Sequence, residues 1–218
     1  MSLTRRHLAL GLAALPALGL PGAALAQRPA LAPLSADDRT LVDKAAAYLQ
    51  DLTEAKARFV QTDMRGTMTQ GSLYLKRPGK ARFAYEPPSG LLVVADGANV
   101  SIADSRLKTF DRYPLMATPL SIFLARQIRL DRGIVVRSVS RMADGFSLTA
   151  RDGKKEAEGE ITLTFSSDPI TLVGWAVTDA QGMSTRIRLT GLEKTSGLPS
   201  SLFVLNDPRP KSVGRARM

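Results

Sequence analysis

Beyond Lys56 run after run of this chain places its apolar residues on every second position, and that spacing constrains the fold more than any other feature. Leu73 and Leu75 alternate with Ser72, Tyr74 and Lys76; Ile161, Leu163 and Phe165 with Thr162 and Thr164; Ile187 and Leu189 with Arg186, Arg188 and Thr190. A period of two puts alternate side chains on opposite faces, so the pattern predicts antiparallel strands with one wet and one buried face. Turn signals separate the runs: Arg77-Pro-Gly, Pro87-Pro-Ser-Gly, Asp96-Gly, Asp144-Gly, Asp152-Gly, Asp168-Pro and Asp179-Ala-Gln-Gly. Their short spacing predicts a meander of roughly nine to eleven strands.

Two segments break the period. Ser35 is a good N-cap, and Asp37 and Asp38 follow where the helix dipole favours negative charge. Leu41, Val42, Ala45, Tyr48, Leu49, Leu52 and Ala55 then recur at helical spacing, predicting an amphipathic helix over 35–56. Asp43, Lys44, Gln50, Asp51 and Glu54 take its opposite face. The second segment, 118–126, offers Thr118 as N-cap, Pro119 at the first helical position, and apolar Leu120, Ile122, Phe123 and Leu124. A long sheet with one apolar face has to cover it. A strongly curled sheet with both helices in its mouth would leave an apolar cavity, whereas a sandwich with a filled interior would not. Composition does not separate the two.

Residues 1–26 have a basic start, an apolar run from Leu8 to Leu20 and an Ala-Leu-Ala end, the layout of a cleaved signal peptide. Arg5-Arg6 also suits a twin-arginine signal. The run is short and broken by Pro16 and Pro21, whereas a membrane span needs about 20 apolar residues. The only histidine, His7, lies in this segment, and the chain has no cysteine. The mature chain therefore excludes Ser-His-Asp and Cys-His catalysis, disulfides and the usual zinc sites. The chain's net charge is +10; removing Arg5 and Arg6 leaves 28 basic against 20 acidic residues. Export and the absence of an aromatic-basic stacking platform argue against nucleic acid, leaving anionic headgroups, an acidic protein or plain solvation.

Gln70-Gly-Ser-Leu-Tyr-Leu-Lys-Arg-Pro-Gly79 followed by Phe83-Ala-Tyr-Glu-Pro-Pro88 resembles the signature of the LolA family of periplasmic lipoprotein carriers. Ala57-Arg-Phe-Val-Gln61, Leu92-Val-Val-Ala-Asp-Gly97 and Thr118-Pro-Leu-Ser-Ile-Phe-Leu-Ala-Arg126 match in the family's order, over about residues 38–205. The resemblance implies a mainly β (α+β) fold: a strongly curved antiparallel sheet forming an open eleven-stranded half-barrel under a helical lid. It implies an apolar cavity for lipoprotein acyl chains, with Leu73, Leu75, Ala81, Phe83, Tyr85, Leu92 and Val94 from the sheet. The lid would add Leu41, Ala45, Tyr48, Leu49 and Leu52, then Leu120, Ile122, Phe123 and Leu124. The family's key arginine falls on Arg77, implied to hold the lid shut through backbone carbonyls until lipid displaces it. Period two places Arg77 on the inward face with Leu73 and Leu75; the bland alternative is a guanidinium that snorkels out beside the Pro78-Gly79 turn. Four positions on, where the family usually has a large apolar residue, this chain has Ala81, which puts its affinity for the lid in question.

Such a carrier would act in the periplasm as a monomer without cofactor or metal. It would take acylated lipoproteins from an inner-membrane lipoprotein-releasing ABC transporter and pass them to an outer-membrane acceptor. Lys76, Arg82, Arg126, Arg129 and Arg132 make the candidate basic face for a partner. The competing reading is a periplasmic sensor or assembly module that holds an acylated or hydrophobic partner without transporting it. An enzyme would have to run on carboxylates such as Glu86, Asp96, Asp104 and Asp111, but most of these adjoin glycine or proline and read as turn residues. One domain over 27–205 with a frayed basic tail over 206–218 completes the expectation.

Overall fold

A computed structural model of the chain describes residues 33–130, 133–154 and 159–207. The expected signal peptide, the tail beyond 207 and Arg132 lie outside the described residues. Helix α1 runs Ala36–Asp51, and the Ser35 side chain accepts the Asp38 N–H, as its capping role predicts. The helix stops at Asp51 rather than continuing to Lys56. Leu52 turns out of helical conformation with φ −77° and ψ 77°, and Glu54 already belongs to a strand. Ala55, expected on the helix, is instead a fully buried sheet residue paired with Leu75.

Eleven strands follow. They are β1 (Glu54–Thr62), β2 (Met68–Lys76), β3 (Lys80–Tyr85), β4 (Leu91–Asp96), β5 (Asn99–Asp104) and β6 (Thr109–Pro114), then β7 (Ile134–Met142), β8 (Gly145–Asp152), β9 (Glu160–Ser167), β10 (Ile170–Thr178) and β11 (Ser184–Lys194). All join one antiparallel sheet in the order β6-β5-β4-β3-β2-β1-β11-β10-β9-β8-β7. Two meanders are thus fused along the β1–β11 pair, and the connection between β6 and β7 carries α2 (Leu120–Leu124). That second helix is shorter than the expected 118–126, and Thr118 does not cap it: its hydroxyl donates to the Leu115 carbonyl of a preceding 3₁₀ turn.

Every turn signal named in the sequence falls between strands. Two further turns, 63–67 and 105–108, are closed by an aspartate: Asp63 Oδ1 accepts the N–H groups of Arg65 and Thr67, with Gly66 at φ +79°, and Asp104 Oδ1 accepts those of Arg106 and Leu107. Asp96 closes its hairpin likewise, accepting from Ala98 and Asn99. The carboxylates considered for catalysis at 96 and 104 are therefore turn-formers.

The sheet curls strongly. Phe83 on β3 and Trp175 on β10 are four strand spacings apart, about 19 Å on a flat sheet. Their rings lie 6.0 Å apart, edge to face, so the two meanders fold toward each other around a concave face. Phe59, Leu73, Leu75, Phe83, Leu148, Leu163, Phe165 and Leu189 share that face and are buried. Helix α1 lays Val42, Ala45 and Leu49 on it, and the Tyr48 ring meets Phe165 edge-on at 6.0 Å. Full burial of a side chain such as Leu49 is worth about 1.5–3 kcal/mol, so α1 is held by packing.

The convex face from the end of β2 to β6 has its own cover. The segment after β11 crosses it: Lys76 Nζ donates to the Leu198 carbonyl (2.7 Å), Arg82 to Leu202 (3.0 Å) and Arg112 to Leu205 (3.2 Å). Phe203 is buried there.

Candidate functional site

Strand β2 alternates inward through Gly71, Leu73 and Leu75, and the next inward position is Arg77. Its side chain is only 9% exposed, so the snorkelling alternative is overturned. Nη1 donates to the carbonyls of Leu49 and Leu52, and Nη2 to Ala125 at 2.7 Å. Those acceptors have a common origin. A helix leaves its last carbonyls without intrahelical partners, at the negative end of its dipole. Leu49 and Leu52 end α1, and Ala125 follows the last residue of α2, so one guanidinium joins the C-terminal ends of both helical segments. Burial pulls the Arg77 pKa below the ordinary guanidinium value, and Nε has no partner among the described residues. Among the described residues no carboxylate pairs with the charge. The cation is held by carbonyl dipoles alone, which leaves part of its desolvation cost unmet.

Three further contacts close the same junction. Gly79 N–H donates to the Leu124 carbonyl (2.8 Å), Gln50 Nε2 to Arg126 (3.3 Å), and Ile128 N–H to Gln50 Oε1 (2.9 Å). Gly79 sits at φ +78°, and a Cβ there would be 2.7 Å from Gly97 Cα, so only glycine lets this turn lie against the β4–β5 turn while its N–H reaches the lid. Gln50 was not legible as a contact residue, because helical periodicity assigned it to the solvent face.

Away from this junction the concave face is not filled. An apolar pocket of about 340 Å³ is bounded by Phe83 and Tyr85 of β3, Leu91 and Val93 of β4, Val100 and Ile102 of β5, Pro119 and Leu120 beside α2, and Trp175, Val177 and Ile187 of β10 and β11. Trp175 is both core and wall, its ring 5.5 Å from that of Phe123. Tyr85 donates its hydroxyl to Gln61 Oε1 at 2.5 Å, and burial pushes its pKa up to about 12. A second cavity, about 550 Å³, lies at the lid junction between Arg77, Lys80, Leu115, Met116, Leu124 and Arg126.

Of the residues expected at the cavity, Phe83, Tyr85 and Leu120 line the apolar pocket. Leu73, Leu75, Ala81, Ala45, Leu49, Leu52, Ile122, Phe123 and Leu124 are buried in the core, and Leu41 and Tyr48 pack partly exposed against it. Leu92 and Val94 are corrected: paired with Ala84 and Arg82, they occupy the convex face, where Val94 is buried. Their neighbours Leu91 and Val93 line the pocket instead, a one-residue shift that reverses the side. The basic face is corrected too. Lys76 binds Glu54 at 2.9 Å and the Leu198 carbonyl, and Arg82 holds Leu202, so both fasten the C-terminal segment. Arg126 and Arg129 are exposed beside α2.

An open, curled antiparallel sheet whose mouth is crossed by two helical segments, with an apolar pocket beside α2, defines a lidded half-barrel. The chain belongs to the LolA family: the family model "Outer membrane lipoprotein carrier protein LolA" matches residues 50–206. An outer-membrane lipoprotein carrier protein of Chromohalobacter salexigens is 29% identical over 196 residues, covering 84% of this chain and 91% of that one. A second, of Legionella pneumophila strain Lens, is 26% identical over 173 residues, covering 77% and 81%. A crystal structure of a LolA superfamily protein from Nitrosomonas europaea aligns with a TM-score of 0.43 at 9% identity, covering 76% of this chain and 98% of that one.

Proposed function

We propose that this protein is a non-catalytic periplasmic carrier that takes lipoprotein acyl chains into the concave apolar face and carries them from the inner to the outer membrane. Family membership supports carriage of lipoproteins in general. The observation that carries the reading is the Arg77 guanidinium, which bonds the carbonyl ends of both lid segments at one end of a concave face whose other end holds an unfilled apolar pocket. The pocket's volume of about 340 Å³ lies near the low end of the roughly 300–1,000 Å³ usual for ligand sites. The lid-closed form is thus a restricted state, and a larger ligand requires the lid to move.

The energetics allow it. Charge-assisted bonds are worth about 1.5–3 kcal/mol each, and burying acyl chain yields about 0.8 kcal/mol per CH₂. A ligand opens the lid only if it favours the open state by more than the bonds favour the closed one, and a handful of methylenes suffices. Cargo would arrive from an inner-membrane lipoprotein-releasing ABC transporter and leave to an outer-membrane acceptor, with exposed Arg126 and Arg129 beside the lid as candidate contacts.

The test is to purify the wild type and Arg77→Leu, extract each with organic solvent and identify bound lipid by mass spectrometry, with apolar dye displacement as titration. Acyl material in the wild type and a changed amount in the variant are expected. Neither acyl material nor dye uptake in either protein would remove the carrier reading.

A further inference from the structure

The pocket wall carries one side-chain amide. Gln61 of β1 points inward two residues beyond Phe59 and lines the pocket among Tyr85, Ile187 and Thr185. Tyr85 donates its hydroxyl to Gln61 Oε1, and burial keeps that hydroxyl protonated well above neutral pH, so it remains a donor. An acceptor engaged at Oε1 fixes the way the amide is turned. The Nε2 group then presents two hydrogens and, among the described residues, has no protein partner. Hydrocarbon cannot accept them, and an unmet amide donor against an apolar ligand costs free energy. A pocket for plain hydrocarbon would be better served by leucine or methionine at this position.

We propose that Gln61, oriented by Tyr85, donates Nε2–H to the ester carbonyl of a bound acyl chain and makes the pocket select acylated over merely alkylated ligands. The proposal rests on the carrier reading and names the chemical group that the same site recognises. The wall's other polar groups are the hydroxyls of Thr118, Thr185 and the half-exposed Tyr113, and the indole N–H of Trp175. The Thr118 hydroxyl is already committed to Leu115, and no neighbour orients the Thr185 hydroxyl among the described residues.

The test compares dihexadecanoylglycerol with its dihexadecyl ether analogue, which keeps the chains and lacks the carbonyls, by displacement of an apolar dye from the wild-type protein and three variants. The wild type should bind the diester about five- to ten-fold more tightly, the worth of one neutral hydrogen bond. Gln61→Met should bind the two ligands within about two-fold of each other while holding the diether at least as well as the wild type, which also shows that it is folded. Tyr85→Phe should retain part of the preference, and Thr185→Val all of it. A wild type without preference would overturn the proposal, as would a preference that survives Gln61→Met and vanishes in Thr185→Val. Tight binding of both ligands without preference removes this inference and leaves the carrier reading standing. Binding of neither removes both.

Discussion

The two ends of the concave face are built from the same strands and end in different states. At the Arg77 end, Ala55, Leu75, Ala81 and Ala95 are 2% exposed or less, packed in one core with α1 and α2. At the Tyr85 end, Leu91, Val93 and Ile102 are only half-buried around the pocket. Alternation makes a face apolar; it does not fill the space in front of it. What fills it is the helical cover, and here that cover is anchored at one end, by the Arg77 cation and the Gly79, Gln50 and Ile128 contacts around it.

The largest expected effect would break this contrast outright. Leu75→Ala, in the packed end, should cost about 2–5 kcal/mol, the transfer term plus a cavity. Val93→Ala, on the pocket wall, should cost under about 1 kcal/mol because it removes atoms already half in solvent. Urea unfolding of both variants decides it: equal losses would mean that the Tyr85 end is ordinary core.

A smaller effect sharpens the role of the anchor. Removing the Arg77 bonds in Arg77→Leu should release the lid by about 2 kcal/mol, roughly a thirty-fold gain in local opening. The amides that report it are those of Gly79 and Ile128, which bond Leu124 and the Gln50 side chain across the junction. Their hydrogen exchange should accelerate while that of Leu163, deep in β9, keeps the wild-type rate. Acceleration at all three would make Arg77 a general stabiliser and not a local fastener.

The smallest concerns the outside of the same end. The Leu198 N–H and then Lys76 hold the Glu54 carboxyl below the usual carboxylate range. A depressed carboxylate contributes in full above its unfolded pKa and loses that contribution as pH falls through the folded one. The Leu198 amide should therefore stay protected at neutral pH and lose protection only below the ordinary glutamate range. Glu54→Gln should flatten that dependence, and an unchanged profile would show that the Phe203 packing alone holds the segment.

Much of this was legible in the sequence. Period two and the turn residues give the strands and the inward register of Leu73, Leu75 and Arg77, because side chains alternate strictly along extended backbone. The Ser35 cap starts α1 where it should. The side of β4 was not legible: Leu91-Leu-Val-Val-Ala95 is apolar at every position, so it has no alternation to read. Its inward set, Leu91, Val93 and Ala95, follows from pairing with β3. Both faces of β4 are covered, the inner by core and pocket and the outer by the segment carrying Phe203, so neither needs polar residues.

By itself, then, the sequence determined an alternating sheet, two apolar helical segments and an arginine in line with leucines, because these depend on local periodicity and backbone chemistry. Only the tertiary structure decided that the sheet curls until β3 meets β10, that the orphan carbonyls of two helices converge on Arg77, and that Lys76 and Arg82 fasten the chain's own C-terminal segment. Those outcomes join residues up to 122 positions apart, and spacing along the chain carries no record of such pairings.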